Sequence, residues 1–585
     1  MTKPITLLVC TALSAPALFA QSPDVHWPGQ LAFDQAGTVV EVIGDCDADG
    51  TPDIAIGAPH ADHAITFPIP FTLDDVGHVQ VRSGATGAVL FNLWGTAAGE
   101  EFGFALADAG DVDQDGHDDL LIGAPRATFN KDHQGKVQVR SGATGVLMRT
   151  NWGPQSECRF GHAVAGKGET SSSAPAGYYV VGAPLFDADD STGGYGQEGL
   201  VRKLSGASGV KITDYVGGSE GGGYCTCYPS QYAMDVKHLG WSLGYDGEEL
   251  AMGAPQSDRR NTDTGAVQSD TGYISLERPG GVGSHAHKMR FWGDPGDRAG
   301  TALALRGALI AIGFPGIVGD GRVMVLRHDW TGFTPKLFDW YAVTGTPQKP
   351  VGEVLSFVGN FDNDEGTYST LDLAIGSPNT QLGFPIGTAG VGSVAIRSGE
   401  DGALLTEYYG TSANDLLGSA VAGADFNNDG FSDLVLGVPG HDTISGVNSG
   451  AAWYYDGNPC PAASLPYGTG HPGTNGTPEF LHHSVPKLGS TYVVGLTNSL
   501  GAPTQAWLFV GLAPAALPIK GATLLVDPIL SLAVPMGSGT LPLNPALPDD
   551  PALCGVSLFV QGLVIDPGAS HGVAFSRGLE MRLGY

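Results

Sequence analysis

The chain of 585 residues carries 29 Lys and Arg against 60 Asp and Glu, a formal net charge of −31. A field of that sign repels phosphate, which excludes nucleic acid and anionic membrane surfaces as natural partners. With 42% hydrophobic and 15% charged residues the chain is too apolar for an acidic disordered protein, and its 89 glycines among short apolar runs call for many tight turns and an all-β fold.

The first element in chain order is a targeting segment. Lys3 precedes an apolar stretch over 5–19, with small residues at Ala17 and Ala20. This is the form of a secretory signal peptide (1–20), with cleavage expected after Ala20. Val9 and Thr11 flank Cys10 in a way unlike a lipid-anchored signal. No later run reaches the ~20 apolar residues of a membrane helix, so an exported chain is expected, secreted or in the cell envelope, without membrane insertion. The remaining cysteines are Cys46, Cys158, Cys225, Cys227, Cys460 and Cys554. An even count in an exported chain points to disulfides. Cys460 with Cys554 is the expected pair, since both lie in the C-terminal segment, and no cysteine set has zinc-site spacing.

One tetrapeptide then recurs: Ile56-Gly-Ala-Pro59, Ile122-Gly-Ala-Pro125, Val181-Gly-Ala-Pro184, Met252-Gly-Ala-Pro255, Ile312-Gly-Phe-Pro315, Ile375-Gly-Ser-Pro378 and Leu436-Gly-Val-Pro439. The glycines stand at 57, 123, 182, 253, 313, 376 and 437, which gives units of about 60 residues. Each unit reads as four short strands. A small-residue strand such as Phe102–Gly110 comes first, then a loop and a buried strand such as Asp119–Gly123. A third strand ends in a Ser-Gly-x-x-Gly turn, as in Val79–Gly87 and Val137–Gly145. The fourth ends in Trp94, Trp152, Tyr215, Trp292, Trp340 or Tyr409. Four strands repeated radially make a β-propeller blade. The seventh unit stops after Ala451–Tyr455, and the spare run Val25–Gly29 is expected to supply its missing strand and remove an open sheet edge.

Four units carry an acidic loop before the Gly-x-Pro strand. The first offers Asp45, Asp47, Asp49, Thr51 and Asp53; the second Asp111, Asp113, Asp115, His117 and Asp119. The seventh offers Asp425, Asn427, Asp429, Phe431 and Asp433, and a stretched version in the sixth offers Asn360, Asp362, Asp364 and Asp372. Oxygens at positions 1, 3 and 5 converge, glycine at 6 permits the bend, and the carbonyl at 7 and carboxylate at 9 complete a hard-cation shell. Ca2+ fits such a flexible oxygen cage better than Mg2+. An EF-hand needs Glu at position 12, where this chain has Ile56, Ile122 and Leu436. Units three to five lack the loop. Four Ca2+ would move the charge from −31 to about −23.

Phe-Gly, the Asp-x-Asp-x-Asp-Gly-x-x-Asp loop and Gly-Ala-Pro in units of this length resemble FG-GAP repeats, which build the seven-bladed propeller of integrin α-chains. The resemblance covers about residues 22–457. It implies a calcium-stabilised propeller with structural metal loops on one face and a ligand site on the opposite face or rim. The missing loops in units three to five depart from it, and the rest of an integrin has no counterpart in this sequence.

Residues 458–585 read as a second, β-sandwich-like domain, with Pro/Gly-rich boundaries and short runs such as Ala506–Val510 and Val556–Gln561. Other features are weaker. His285-Ala-His287 and His482-His483 offer imidazole pairs. Gly217–Gly221 and Gly568–Gly572 match Gly-x-Ser-x-Gly, but a nucleophile elbow needs a following helix, and none is readable. Asn475-Gly-Thr477 fits a glycosylation acceptor. The aromatic set at the unit ends reads as packing, with a carbohydrate site as the sharper alternative. The function expected is a secreted calcium-binding propeller for adhesion or for binding a protein or glycan, without catalytic residues. The alternatives are a calcium-dependent polysaccharide lyase or hydrolase, and a purely structural envelope or matrix protein.

Overall fold

A computed structural model describes residues 23, 25–31, 33–65, 71–167, 177–188, 197–220, 232–261, 264–278, 287–316, 320–329, 336–361, 372–381, 390–457, 463–482, 486, 488, 490–548, 553 and 556–584. Every extended element among them is a β-strand. No helix among the described residues is long and apolar enough to cross a membrane. The signal segment, Cys225, Cys227, Cys460 and Cys554 lie outside the described residues. The chain divides into two compact units, up to Gly457 and from Asn458.

The second repeat shows the plan of the first unit. Ala105–Gly110, Asp119–Ala124, Lys136–Arg140 and Leu147–Trp152 pair antiparallel in sequence order. The second strand, Asp-Leu-Leu-Ile-Gly-Ala, is buried at every position, which is why it reads as a continuous apolar run and not as an alternating one. The fourth strand is half-exposed. In the turn, Ser141 N donates to Val146 O and Gly145 N to Ser141 O, with Gly145 at φ 69°. The Arg140 guanidinium donates to the Gly145 carbonyl, as Arg82 does to Gly87 and Arg397 to Gly402.

Five more sheets repeat this order, and a seventh is assembled from Val421–Ala424, Asp433–Val438, Ala451–Tyr455 and, at its outer edge, Val25–Pro28. The N-terminal strand pairs antiparallel with Ala451–Tyr455, Trp27 opposite Ala452. Trp27 then lies against Gly87 of the first repeat. Phe91 lies in the same way against Gly145, and Tyr341 against Gly402, so the imported strand packs like a fourth strand.

The Gly-x-Pro glycines couple neighbouring repeats. A Cβ on Gly57 would lie 2.4 Å from the Gly103 carbonyl oxygen of the second repeat. The same clash pairs Gly123 with Gly161, Gly182 with Gly240, Gly253 with Gly300, Gly313 with Gly352, Gly376 with Gly418 and Gly437 with Gly37, at 2.0–2.3 Å. Only hydrogen fits there, because a Cβ never approaches an oxygen that closely. Parallel bridges such as Gly135 with Phe160, and Ala36 with Gly450, run beside these contacts.

Two additions interrupt the plan. His63–Ile65 pairs with Phe71–Leu73 inside the first repeat. Gly218–Glu220, Tyr232–Val236, Asp258–Asn261 and Val267–Gln268 form a further four-stranded sheet, its first two strands lying between the third and fourth repeats and its last two between the second and third strands of the fourth. The expectation of four strands per unit did not include it. Its first two strands fall within the longest repeat spacing, Gly182 to Gly253, and its last two follow Gly253.

The second compact unit has a sheet ordered Ala463–Tyr467, Gly578–Arg582, Ser557–Ile565, Thr504–Gly511 and Leu530–Met536, with Val573–Phe575 paired on Ser557–Ile565. Phe480–His482, Val494–Leu496 and Leu541–Pro542 form a smaller sheet. Leu496, Ala506, Leu508, Met536 and Val564 make a shared buried cluster. Cys46 and Cys158 are buried free thiols, so the expectation of disulfides from the even cysteine count is corrected for these two: each sits in a different apolar cluster, apart from the other.

The glycine contacts set a stability test. Gly123→Ala forces backbone apart and is expected to cost about 3 kcal/mol or more by denaturant unfolding. Gly307→Ala, with φ 57° and open space around it, should cost only the left-handed backbone penalty of about 1–2 kcal/mol.

Candidate functional site

The acidic loops join the first and second strands of their repeats. In the first loop Asp49 N donates to Asp45 Oδ1 and to Asp47 Oδ1, Gly50 N to Asp45 Oδ2, and Thr51 N to Asp49 Oδ1. Ala48 at φ 59° and Gly50 at φ 94° supply the bend. The second loop repeats the pattern with Asp111, Asp115, Gly116 and His117. The seventh repeats it with Asp425, Asn427, Asp429, Gly430 and Phe431. Gly116 has φ 91° and Gly430 φ 94°.

This folding gathers charge. Oxygens of Asp45, Asp47 and Asp49 lie within 4.8 Å of one another, as do those of Asp111, Asp113 and Asp115. Asp47, Asp49, Asp113 and Asp115 are exposed. Among the described residues no Lys or Arg forms an ion pair with these six carboxylates. Three like charges at that spacing repel, and a hard divalent cation on the open side suits an all-oxygen donor set.

The carboxylates at position 9 sit differently. Asp53, Asp119, Asp372 and Asp433 are fully buried, and each bridges two backbone segments. Asp119 accepts Val112 N at 3.0 Å and Gly142 N at 3.0 Å. Asp53 accepts Cys46 N and Gly84 N, Asp372 accepts Phe361 N and Gly399 N, and Asp433 accepts Phe426 N and Gly457 N. Each ties its loop to the turn after the third strand. Burial pushes Asp53 and Asp119 up to about 6 and Asp433 up to about 7, against the pull of these backbone donors. Asp53 and Asp119 lie outside the carboxylate clusters of positions 1, 3 and 5.

At position 7 the Thr51 side chain bonds to Asp49. The His117 ring reaches across to the Cys46 carbonyl at 2.6 Å. Phe431 is buried, which leaves its backbone as the polar group on offer. In the sixth repeat Asn360 and Asp372 are described, while Asp362 and Asp364 are not. One residue missed by sequence reasoning is Asp118. Its Oδ2 accepts Asp45 N at 3.1 Å, and its own N donates to the Asp45 carbonyl at 3.1 Å, locking the first loop to the second. The only signal was an extra Asp beside Asp119 in that loop alone. Burial, then the surrounding carboxylates, push the Cys46 thiol up, so it is inert.

Other candidates separate from chemistry. Trp94 stacks between His63 and His78, each 4.3 Å away, and Trp152 lies 5.1 Å from Phe129; both are packing. Gly218–Glu220 is a short strand, and the residues after it lie outside the described ones; Gly568–Gly572 is a turn between strands, so that Gly-x-Ser-x-Gly match precedes no helix. Asn475 Nδ2 donates to the Leu500 carbonyl. His285 and His483 lie outside the described residues.

The model of the FG-GAP repeat matches residues 104–139 and 417–455, spans that contain the second and seventh acidic loops. Integrin alpha-PS2 of Drosophila melanogaster is 31% identical over 259 residues, 40% of this chain and 16% of that protein. Integrin alpha-8 of Mus musculus is 35% identical over 135 residues, 22% and 11% respectively. Integrin alpha-V of Gallus gallus is 28% identical over 151 residues, 24% and 13%. The chain therefore carries FG-GAP repeats and is integrin α-like in them, and it spans less than a fifth of the length of these relatives.

The two kinds of loop carboxylate separate by mutation in chelator-treated protein. Asp119→Ala strands two buried N–H groups and should cost about 3 kcal/mol. Asp113→Ala should change unfolding by less than about 0.5 kcal/mol.

Proposed function

We propose that residues 21–457 form a closed seven-bladed β-propeller, stapled by about four Ca2+, that serves an exported protein as an adhesion or ligand-binding module for a protein or glycan. The observation that carries this reading is the run of seven glycine–carbonyl contacts from Gly57 through Gly437 to Gly37. With it go the uncompensated carboxylates gathered in the first two loops, and the similarity to integrin α-chains supports the ligand-binding role. Calcium would be held by positions 1, 3 and 5 of each loop and the carbonyl at 7. Position 9 has lone pairs left for the ion, although its first duty is to the backbone. The ion is structural: it cancels repulsion among the carboxylates and fixes the entry to each second strand. Residues 1–20 act as the export signal and 458–585 as a separate β-sandwich-like domain.

Melting with Ca2+ against excess chelator, with metal counted by elemental analysis, tests the reading. About four ions per chain and a higher melting temperature with Ca2+ are expected, each filled site adding about 2.7 kcal/mol at a hundredfold excess over its Kd. No bound ion and no shift would remove the calcium reading. The ligand role is tested by glycan-array and immobilised extracellular-protein binding in Ca2+; product formation from a polysaccharide without stable binding would replace adhesion by catalysis.

A further inference from the structure

The turn Asp566–Gly572 of the second compact unit brings two imidazoles onto one hydroxyl. His471 Nε2 lies 2.9 Å from Ser570 Oγ, and His571 Nδ1 lies 3.1 Å from the same oxygen. The ring centres are 6.0 Å apart at an interplanar angle of 54°. His471 and Ser570 are 99 residues apart in sequence, so tertiary structure assembles the group.

The surroundings hold it in place. His471 N donates to the Phe575 carbonyl at 2.8 Å, and Phe575 N donates back to the His471 carbonyl at 2.9 Å. The turn is closed by Asp566 N to Gly572 O at 3.0 Å and Ala569 N to Asp566 O at 2.9 Å. Below it the fully buried Asp566 carboxylate accepts Thr474 N, Thr474 Oγ1, Ser499 Oγ and Gly568 N. Burial alone would raise this carboxyl, but these donors bring it below the usual carboxylate range. The His571 ring rests on Gly521, where a Cβ would come within 2.3 Å of it.

The geometry points to a divalent transition-metal site formed by His471 Nε2 and His571 Nδ1, with the Ser570 hydroxyl or water completing the shell. A hydroxyl can donate only one proton, so one ring must donate to Ser570 Oγ when no ion is present. An ion replaces both contacts by nitrogen lone pairs. At about 2.0–2.1 Å from each nitrogen, the ion lies about 3.2 Å from each ring centre, so rings on one ion have centres up to ~6.4 Å apart. At the tetrahedral angle the centres would stand ~5.2 Å apart, so from the observed 6.0 Å the rings close by under ~1 Å on an ion. Two imidazoles with an oxygen favour Zn2+, Ni2+ or Cu2+ over Ca2+. Such an ion clips the segment around His471 to the hairpin turn.

Ser570 is also the centre of a Gly-x-Ser-x-Gly match, but a nucleophile reading lacks its supports. The turn leads into the strand Val573–Phe575 and not a helix. Asp566 faces Thr474, Ser499 and Gly568, and among the described residues no carboxylate bonds to either histidine ring.

Calorimetric titration of the untagged full-length protein with Zn2+, in excess Ca2+ so that acidic loops are filled, tests the site. One Zn2+ per chain is expected. His471→Ala and His571→Ala should each weaken it on the order of 10-fold or more, and Ser570→Ala should retain it. Calcium-dependent melting of each variant serves as the folding control. No zinc uptake, or uptake unchanged in both histidine variants, overturns the site without touching the calcium loops. Labelling of Ser570 by a fluorophosphonate that requires His471, without zinc binding, overturns it in favour of a nucleophile.

Discussion

The first compact unit depends on a place where no side chain exists. At each Gly-x-Pro glycine the carbonyl of the next repeat's Phe-Gly-type turn comes so near that a methyl group cannot stand between them. Because the fully buried second strand carries this glycine, each repeat's most apolar element is also its coupling surface. Neighbouring sheets then pack closely enough for clusters such as Ala107, Leu121, Val139, Phe160 and Val181 to form across them. Close packing of this kind tolerates hydrogen and little else. One glycine type, repeated at a period near 60 residues, therefore does most to specify how the sheets succeed one another.

The acidic loops follow from that arrangement. In the four repeats with an acidic loop, the buried carboxylate at the start of the second strand needs partners, and it finds them in the loop behind it and in the turn beyond the third strand. It acts as a strut. The carboxylates at positions 1, 3 and 5 are bent onto one point by their own backbone donors, which leaves an exposed concentration of negative charge. The same residue type thus stands in two settings, set by burial: inside it satisfies backbone groups, outside it concentrates carboxylate oxygens of the kind that would suit a hard cation. Asp118 adds a cross-brace, since it joins the first loop to the second through two hydrogen bonds with Asp45.

The second compact unit uses aspartate in the first way again. Asp566 gathers four donors beneath a turn, and that turn carries Ser570 and His571 toward His471. In each unit, then, a buried carboxylate fixes a loop that carries other polar side chains on its exposed side. The similarity to integrin α-chains lies in the repeats, so it speaks to the first unit and leaves the second to be read from its own residues.

By itself the sequence determined the strand plan, because hydrophobic runs, glycine turns and a fixed period are local signals. Ile122-Gly-Ala-Pro125 announces a buried strand wherever it stands, and Asp-x-Asp-x-Asp-Gly announces a bend that gathers carboxylates. Even the long-range pairing of Val25–Pro28 with Ala451–Tyr455 could be read, since one repeat lacked a strand and one strand lacked a repeat. What only the tertiary structure decided lies between segments with no shared pattern. Asp118 against Asp45, the inserted sheet drawn from both sides of the fourth repeat's first two strands, the burial of Cys46 and Cys158 apart from each other, and His471 beside Ser570 each depend on where two distant stretches of backbone meet. Periodicity records which face of a strand is buried; it carries no record of which other strand, loop or turn will cover it.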